Sequence, residues 1–198
     1  MEGGFSYNHG KWAKKNDWRL TKAMNIGGAL YDIGVYVVQS AFYTAHDYPI
    51  SVTARSWTIR DEIYKEFPEY WEWELEWPNG KISKHSSNYG KYENFIHLET
   101  KKGKIGLKPA YSYTGIKGYT PDGEMKTSPV FQQKLQIDGQ CLAILKKLPN
   151  ITPGEMGRRD IRVLNAIMES AKTNRKVSFK NFRYNVWLVL LGLSLQSN

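Results

Sequence analysis

Cysteine is almost missing from this 198-residue chain: Cys141 stands alone, so an internal disulfide framework is excluded. No run of about 18 apolar residues occurs, which leaves no membrane-spanning helix. The most apolar stretch, "NVWLVLLGLSL" (185–195), is too short to cross a bilayer. The opening "MEGGFSYNHG" lacks the charged-then-apolar order of a secretory signal. A soluble, cytoplasmic chain without a membrane partner is the expectation.

The chemical motifs are equally sparse. There is no Gly-x-Gly-x-x-Gly between a strand and a helix, and no Gly-x-x-x-x-Gly-Lys phosphate loop. His9, His46, His85 and His97 are scattered without metal-ligand spacing, so no metal is expected. A Gly-x-Ser-x-Gly elbow is absent, and Cys141 falls in an apolar helical pattern as a small core residue. Nucleophilic catalysis therefore has no candidate. Lys and Arg outnumber Asp and Glu by 28 to 19, giving a net charge of +9. No nucleic-acid-binding motif accompanies that charge, which reads as solubility rather than as a nucleic-acid partner.

What the chain has in quantity is aromatic residues, 14% of the total, with 7 Trp and 13 Tyr. Such a composition favours sheet. Residues 2–8 are compatible with a short strand, and "PISVTARSWTI" (49–59) is rich in β-branched residues. In "EYWEWELEWPNGK", Trp71, Trp73, Leu75 and Trp77 alternate with Glu72, Glu74 and Glu76. This period-two alternation is the strongest strand signal in the chain, and Asn-Gly after it marks a tight turn. Three tryptophans on one face suit either a stacking platform for sugar rings or bases or a core packed under helices; the core reading is preferred. Further strands are expected at 81–88, 93–100, 104–109, 111–119 and 175–179, and two helices at 131–148 and 153–174. In these helices Phe131, Leu135, Leu142 and Leu145, then Ile161, Leu164, Ile167, Met168 and Ala171, keep helical spacing. Runs of strands rather than strict βαβ alternation predict an α+β domain: a large, open, mostly antiparallel sheet with helices packed on one face.

The stretch "GGALYDIGVYVVQSAFYTA" (27–45) reads as a buried helix, apolar nearly all round. Yet it carries Asp32 in its first turn and Tyr36 four residues on. A carboxylate at a helix start is stabilised by free N–H groups, and a buried tyrosine finds a partner for its hydroxyl. The same spacing also lets both side chains converge on one ligand, the phenol exchanging a proton with a hydroxyl. Residue types and spacing alone leave both readings open.

Three segments resemble the glucose–fructose oxidoreductase, inositol dehydrogenase and rhizopine-catabolism (Gfo/Idh/MocA) family. They are "WRL…GGALYDIGVY" (18–36), "GKIGLKPAYSY" (103–113) and "ITPGEMGRRDIRVLNAIMESAKTNRKVSF" (151–179). The resemblance covers residues 2–180 and implies that 1–180 is the family's C-terminal substrate-binding and oligomerisation domain, with 181–198 a tail without a family counterpart. It implies Tyr36 as the acid/base toward a sugar or polyol hydroxyl and Asp32 as the group that orients substrate or catalytic pair. Arg19, with Trp18, would approach cofactor or substrate. It implies NAD or NADP in the full-length family, held by an N-terminal Rossmann domain that also supplies a lysine from a Glu-Lys-Pro motif. Neither the Gly-rich fingerprint nor that motif occurs here, so no cofactor is expected on this chain alone and its isolated activity is expected to be negligible. Homo-oligomers pairing through the open sheet face are implied as well. The alternative reading is a non-catalytic assembly or ligand-binding module that keeps the sheet without the chemistry.

Overall fold

The computed structural model describes residues 1–11, 17–126 and 129–179; the tail at 181–198 lies outside them. The β-branched and aromatic runs become strands β1 (Glu2–Ser6), β2 (Ser51–Trp57), β3 (Tyr70–Glu76), β4 (Ile82–Asn88) and β5 (Glu93–Thr100). Four shorter ones follow: β6 (Gly103–Leu107), β7 (Gly118–Thr120), β8 (Gly123–Met125) and β9 (Val177–Ser178). They form one open sheet in the order β8-β7-β6-β5-β1-β4-β3-β2-β9. All described pairings are antiparallel except one: β1 enters the middle of the sheet, parallel to β4 and antiparallel to β5. A parallel neighbour requires a crossover, and the helices α1 (Ala29–Asp32) and α2 (Gly34–Ala45) lie in that connection.

The alternation along β3 sorts its side chains as expected. Trp71, Trp73, Leu75 and Trp77 are buried beneath the helices. On the opposite face the glutamates meet cations: Arg55 of β2 reaches Glu72, Lys84 of β4 reaches Glu74, and Lys176, just before β9, reaches Glu76. α2 covers β1 and β4, while α4 (Gly154–Thr173) covers β2 and packs on α2. Val37, Val38, Ala41 and Phe42 of α2 and Val163, Leu164 and Ile167 of α4 complete the core. Burying each such side chain is worth about 1.5–3 kcal/mol, which is what fixes one face of the sheet as the inside.

The structure corrects the sequence reading in several places. The stretch 27–45 is not one helix: it breaks at Ile33 (φ −127°, ψ −22°) into α1 and α2. Asp32 therefore closes α1 instead of opening a long helix. The strand expected over 111–119 shrinks to β7, because residues 109–117 run as a loop outside the sheet. Helix α3 (Gln132–Leu145) forms where expected but contributes nothing to the core. Leu135, Leu142 and Leu145 are exposed, and Cys141 with them. Helical spacing reports a helix with an apolar stripe, not what the stripe meets. Ile161, likewise, faces solvent on α4.

Candidate active site

The parallel pairing of β1 and β4 points both carboxyl ends the same way, which sets Tyr7 and Tyr89 side by side just beyond the sheet. Tyr7 N–H donates to the Asn88 carbonyl (3.3 Å), and the two tyrosine rings stand 5.4 Å apart. Asp32, at the end of α1, comes down between them. Its Oδ2 accepts from Tyr89 Oη (2.8 Å), Tyr7 Oη (3.1 Å) and Arg19 Nε (3.3 Å). Asn25 Nδ2 donates to Tyr89 Oη and to the Arg19 carbonyl, tying the loop before α1 to the same centre.

Arg19 arrives on a 3₁₀ turn, Trp18–Leu20, capped by Asp17, whose Oδ1 accepts from the Arg19 N–H at 3.0 Å. Its guanidinium lies over the half-exposed ring of Trp18, 4.2 Å from the centroid, a cation–π contact. The other carboxylate oxygen of Asp17 is 3.0 Å from Nε2 of buried His9, an ion-pair distance without hydrogen-bond alignment. Burial lowers the pKa of His9, against the opposing pull of Asp17. Burial, with the negative charge of Asp32 added, raises the pKa of both Tyr7 and Tyr89 far above the ordinary phenol range. Both therefore stay protonated donors at neutral pH and hold Asp32 in one orientation.

Tyr36 occupies a different environment. It sits in the first turn of α2, half exposed, with its ring edge-on to Phe5 (centroids 5.5 Å apart) and 6.4 Å from Tyr111. Tyr111 is itself anchored, Oη to Ser40 Oγ at 2.8 Å, and burial pushes its pKa up to about 12. No hydrogen bond joins Tyr36 to Asp32 among the described residues. They are nonetheless neighbours through β1: Phe5 and Tyr7 share its helix-facing side, one pleat repeat or roughly 7 Å apart. Phe5 touches Tyr36 and Tyr7 binds Asp32.

The structure thus gathers Asp32, Arg19 and Trp18 into one cluster and sets Tyr36 beside it. Sequence reading missed Tyr7, Tyr89, Asn25, Asp17 and His9. Their strand-end and loop positions gave no periodic signal, and only the parallel β1–β4 pairing brings them together. A recess of about 550 Å³ between α4 and the β2–β3 loop, lined by Ile26, Phe67, Trp71 and Met168, shares no residue with this cluster.

The glycines of the "GGALYD" stretch do not cradle a phosphate. A Cβ on Gly28 (φ +56°) would stand 2.3 Å from the Phe67 ring, and one on Gly27 would meet Tyr31. Both positions are filled by aromatic packing. Arg19, the cluster's guanidinium, is already engaged by two carboxylates. Neither this glycine pair nor Arg19 is therefore free to take up a pyrophosphate.

Comparison with known proteins identifies the domain. Residues 1–105 match the GFO/IDH/MocA C-terminal domain. The chain belongs to that family. Among solved structures it is similar to aldose-aldose oxidoreductase from Caulobacter crescentus complexed with glycerol, with a TM-score of 0.83 and 27% identity over 90% of this chain and 54% of that one. An oxidoreductase from Agrobacterium radiobacter, in complex with NAD+, L-tartaric acid and magnesium, shares the fold (TM-score 0.69, 16% identity, 89% of this chain and 55% of that one). D-xylose 1-dehydrogenase [NADP(+)] from Haloarcula marismortui is 19% identical over 170 residues, 82% of this chain and 47% of that protein. The chain spans about half the length of the relatives it matches. None of its described helices is long and apolar enough to cross a membrane.

Proposed function

We propose that this chain is the substrate-binding half of an NAD(P)-dependent sugar or polyol oxidoreductase. The observation that carries the reading is the pairing of a carboxylate locked by three donors with a half-exposed tyrosine beside it. Asp32 directs Oδ2 into Tyr7, Tyr89 and Arg19, and no described donor reaches Oδ1. That oxygen is the acceptor for a substrate hydroxyl. The Tyr36 hydroxyl makes no hydrogen bond to a described residue, and its phenol is the group that exchanges a proton with the hydroxyl being oxidised. Trp18, with Arg19 over its face, lines the approach. A dinucleotide held by a separate nucleotide-binding half would supply the redox chemistry, the Gly27–Gly28 pair and Arg19 being already engaged, and the chain's own part is to position the sugar and move the proton. Subunit pairing through the open sheet face belongs to the same reading.

The test is a fusion of this chain behind the nucleotide-binding half of the Caulobacter enzyme, assayed for D-xylose-dependent reduction of NADP+. Activity that falls at least a hundredfold in Tyr36→Phe, with fold retained, supports the assignment. A well-folded fusion that binds NADP+ and is inert with D-xylose and other aldoses refutes it, and leaves the non-catalytic module as the better reading.

A further inference from the structure

The three donors on Asp32 Oδ2 reach it from different parts of the chain. Tyr7 follows β1, Tyr89 follows β4, and Arg19 rides the turn Trp18–Leu20. A site of this kind keeps its geometry only where the neighbours of its functional groups are themselves locked. The two strand ends are fixed by the sheet. The turn has no such support: it is three residues of 3₁₀ helix with none buried, and helices that short have no stability of their own.

One side chain touches all three routes. His9 N–H donates to the carbonyls of both Tyr7 (2.9 Å) and Tyr89 (3.0 Å). Its ring stands edge-on to Tyr7, centroids 5.7 Å apart, and 5.0 Å from the ring of Tyr89. The residue is 4% exposed. Its Nε2 has no aligned hydrogen-bond partner among the described residues and lies 3.0 Å from Asp17 Oδ2. With its proton on Nε2 the imidazole is a donor beside that carboxylate, and the cost of leaving a buried donor unpaired draws the two together.

Asp17 passes the constraint on. Its Oδ1 accepts from the Arg19 N–H at 3.0 Å and lies 3.9 Å from the Arg19 guanidinium, whose Nε donates to Asp32. At the other end of the residue, Asn25 ties the Arg19 carbonyl to the Tyr89 hydroxyl. One tie leaves a pivot. The second, from His9 through Asp17, sets the direction in which the Arg19 side chain leaves the turn.

We infer that His9 is a positioning residue of this site: through Asp17 it aligns Arg19 on Asp32, so that two phenols, a guanidinium and a carboxylate keep one arrangement. What that arrangement is for rests on the function proposed above; the positioning itself rests on the geometry.

The test separates the two. In the isotopically labelled full chain, NMR identifies the Arg19 Nε–H signal by its loss in Arg19→Lys, and its exchange with solvent is measured. His9→Phe keeps a ring between the tyrosines and removes the nitrogen. His9→Gln gives up the ring but carries an amide nitrogen toward the place of Nε2. Asp17→Ser keeps a capping oxygen for the turn without the reach to His9. The expected result is exchange at least tenfold faster in His9→Phe and Asp17→Ser, parent-like exchange in His9→Gln, and unchanged circular dichroism throughout. Exchange within twofold of the parent in His9→Phe overturns the inference, because a ring alone then suffices, and so does equal acceleration in His9→Gln and His9→Phe. Where the His9 variants do not fold, Asp17→Ser decides by the same measure, and exchange within twofold of the parent overturns the inference. In the fusion described above, His9→Phe should lower kcat with D-xylose about tenfold, the scale on which small misplacements act, and His9→Gln should restore it. An active fusion indifferent to His9→Phe overturns the inference. A fusion inert in every form refutes the proposed function instead, and the exchange result then decides the positioning.

Discussion

Replacing Tyr89 by Phe removes a single oxygen from the centre of the candidate site and leaves the ring in place. Tyr89 is fully buried, so no water replaces the lost hydroxyl. The Asp32 carboxylate loses its shortest described hydrogen bond, 2.8 Å, but keeps Tyr7 and Arg19. Asn25 loses one acceptor and keeps the Arg19 carbonyl. A hydrogen bond to a charged group contributes about 1.5–3 kcal/mol. The phenol no longer has to be desolvated, which offsets part of that, so the expected loss is about 2 kcal/mol. For a chain of this size such a loss lowers Tm by roughly 4–8 °C. Urea titration followed by tryptophan fluorescence would read it as a lower midpoint at unchanged slope. Tyr7→Phe should cost less, since Tyr7 is only partly buried, and the double variant should be non-additive because both phenols bind one oxygen. A Tyr89→Phe protein within 0.5 kcal/mol of the parent, or strict additivity with Tyr7→Phe, would show that Asp32 is not held as described.

Three further outcomes follow from other parts of the molecule. Burial lowers the pKa of His85 to about 3 and depresses that of His9. Between pH 6.5 and about 3 the unfolded chain therefore takes up a proton at His85 that the folded chain refuses, and stability should fall by about 1.4 kcal/mol per pH unit for that group. Above pH 6.5 it contributes no slope, and urea midpoints at pH 7.5, 6.5 and 5.5 for the parent and His85→Asn should separate accordingly. Glu69, fully buried, accepts from the Ile59 and Arg60 N–H groups and from the Arg60 guanidinium; Glu69→Ala leaves both N–H groups without their acceptor and the guanidinium with only Asn8 Oδ1 and the Tyr89 carbonyl, and should cost about 2–4 kcal/mol, seen as a lower thermal midpoint. Gly28→Ala forces a Cβ into Phe67 at positive φ and should destabilise by about 2–4 kcal/mol by the same measurement, with Gly80→Ala, open to solvent, as the milder control.

The strands and core were legible in the sequence wherever burial acts on one face at a time. The Trp/Glu alternation of β3 is set by that rule, and its tryptophans lie where the pattern put them. The break at Ile33 was not legible, since an apolar residue between two helices carries no punctuation of its own. Asp32 and Tyr36 were visible as chemistry in an apolar stretch. Their partners were not, because Tyr7 and Tyr89 are 82 residues apart and meet only through the β1–β4 register. Cys141 misled for a related reason: apolar spacing along α3 is the same whether the stripe meets its own core or faces solvent.

The central place of β1 has a consequence for how the chain reaches this state. β2, β3 and β4 form a meander from neighbouring sequence, and β5 and β6 form a hairpin. Each group is built from consecutive strands, yet the two share no strand pairing until Glu2–Ser6 slides between β4 and β5. β1 precedes both of its neighbours in sequence and is thus among the last strands able to find them, since it must wait for β4 and β5, the second of which ends at Thr100. Sequence separations of that size slow folding, and until they are bridged the meander and the hairpin each keep an open edge. One five-residue segment, threaded late, turns two independent ribbons into a single sheet and, in the same step, sets Tyr7 beneath Asp32.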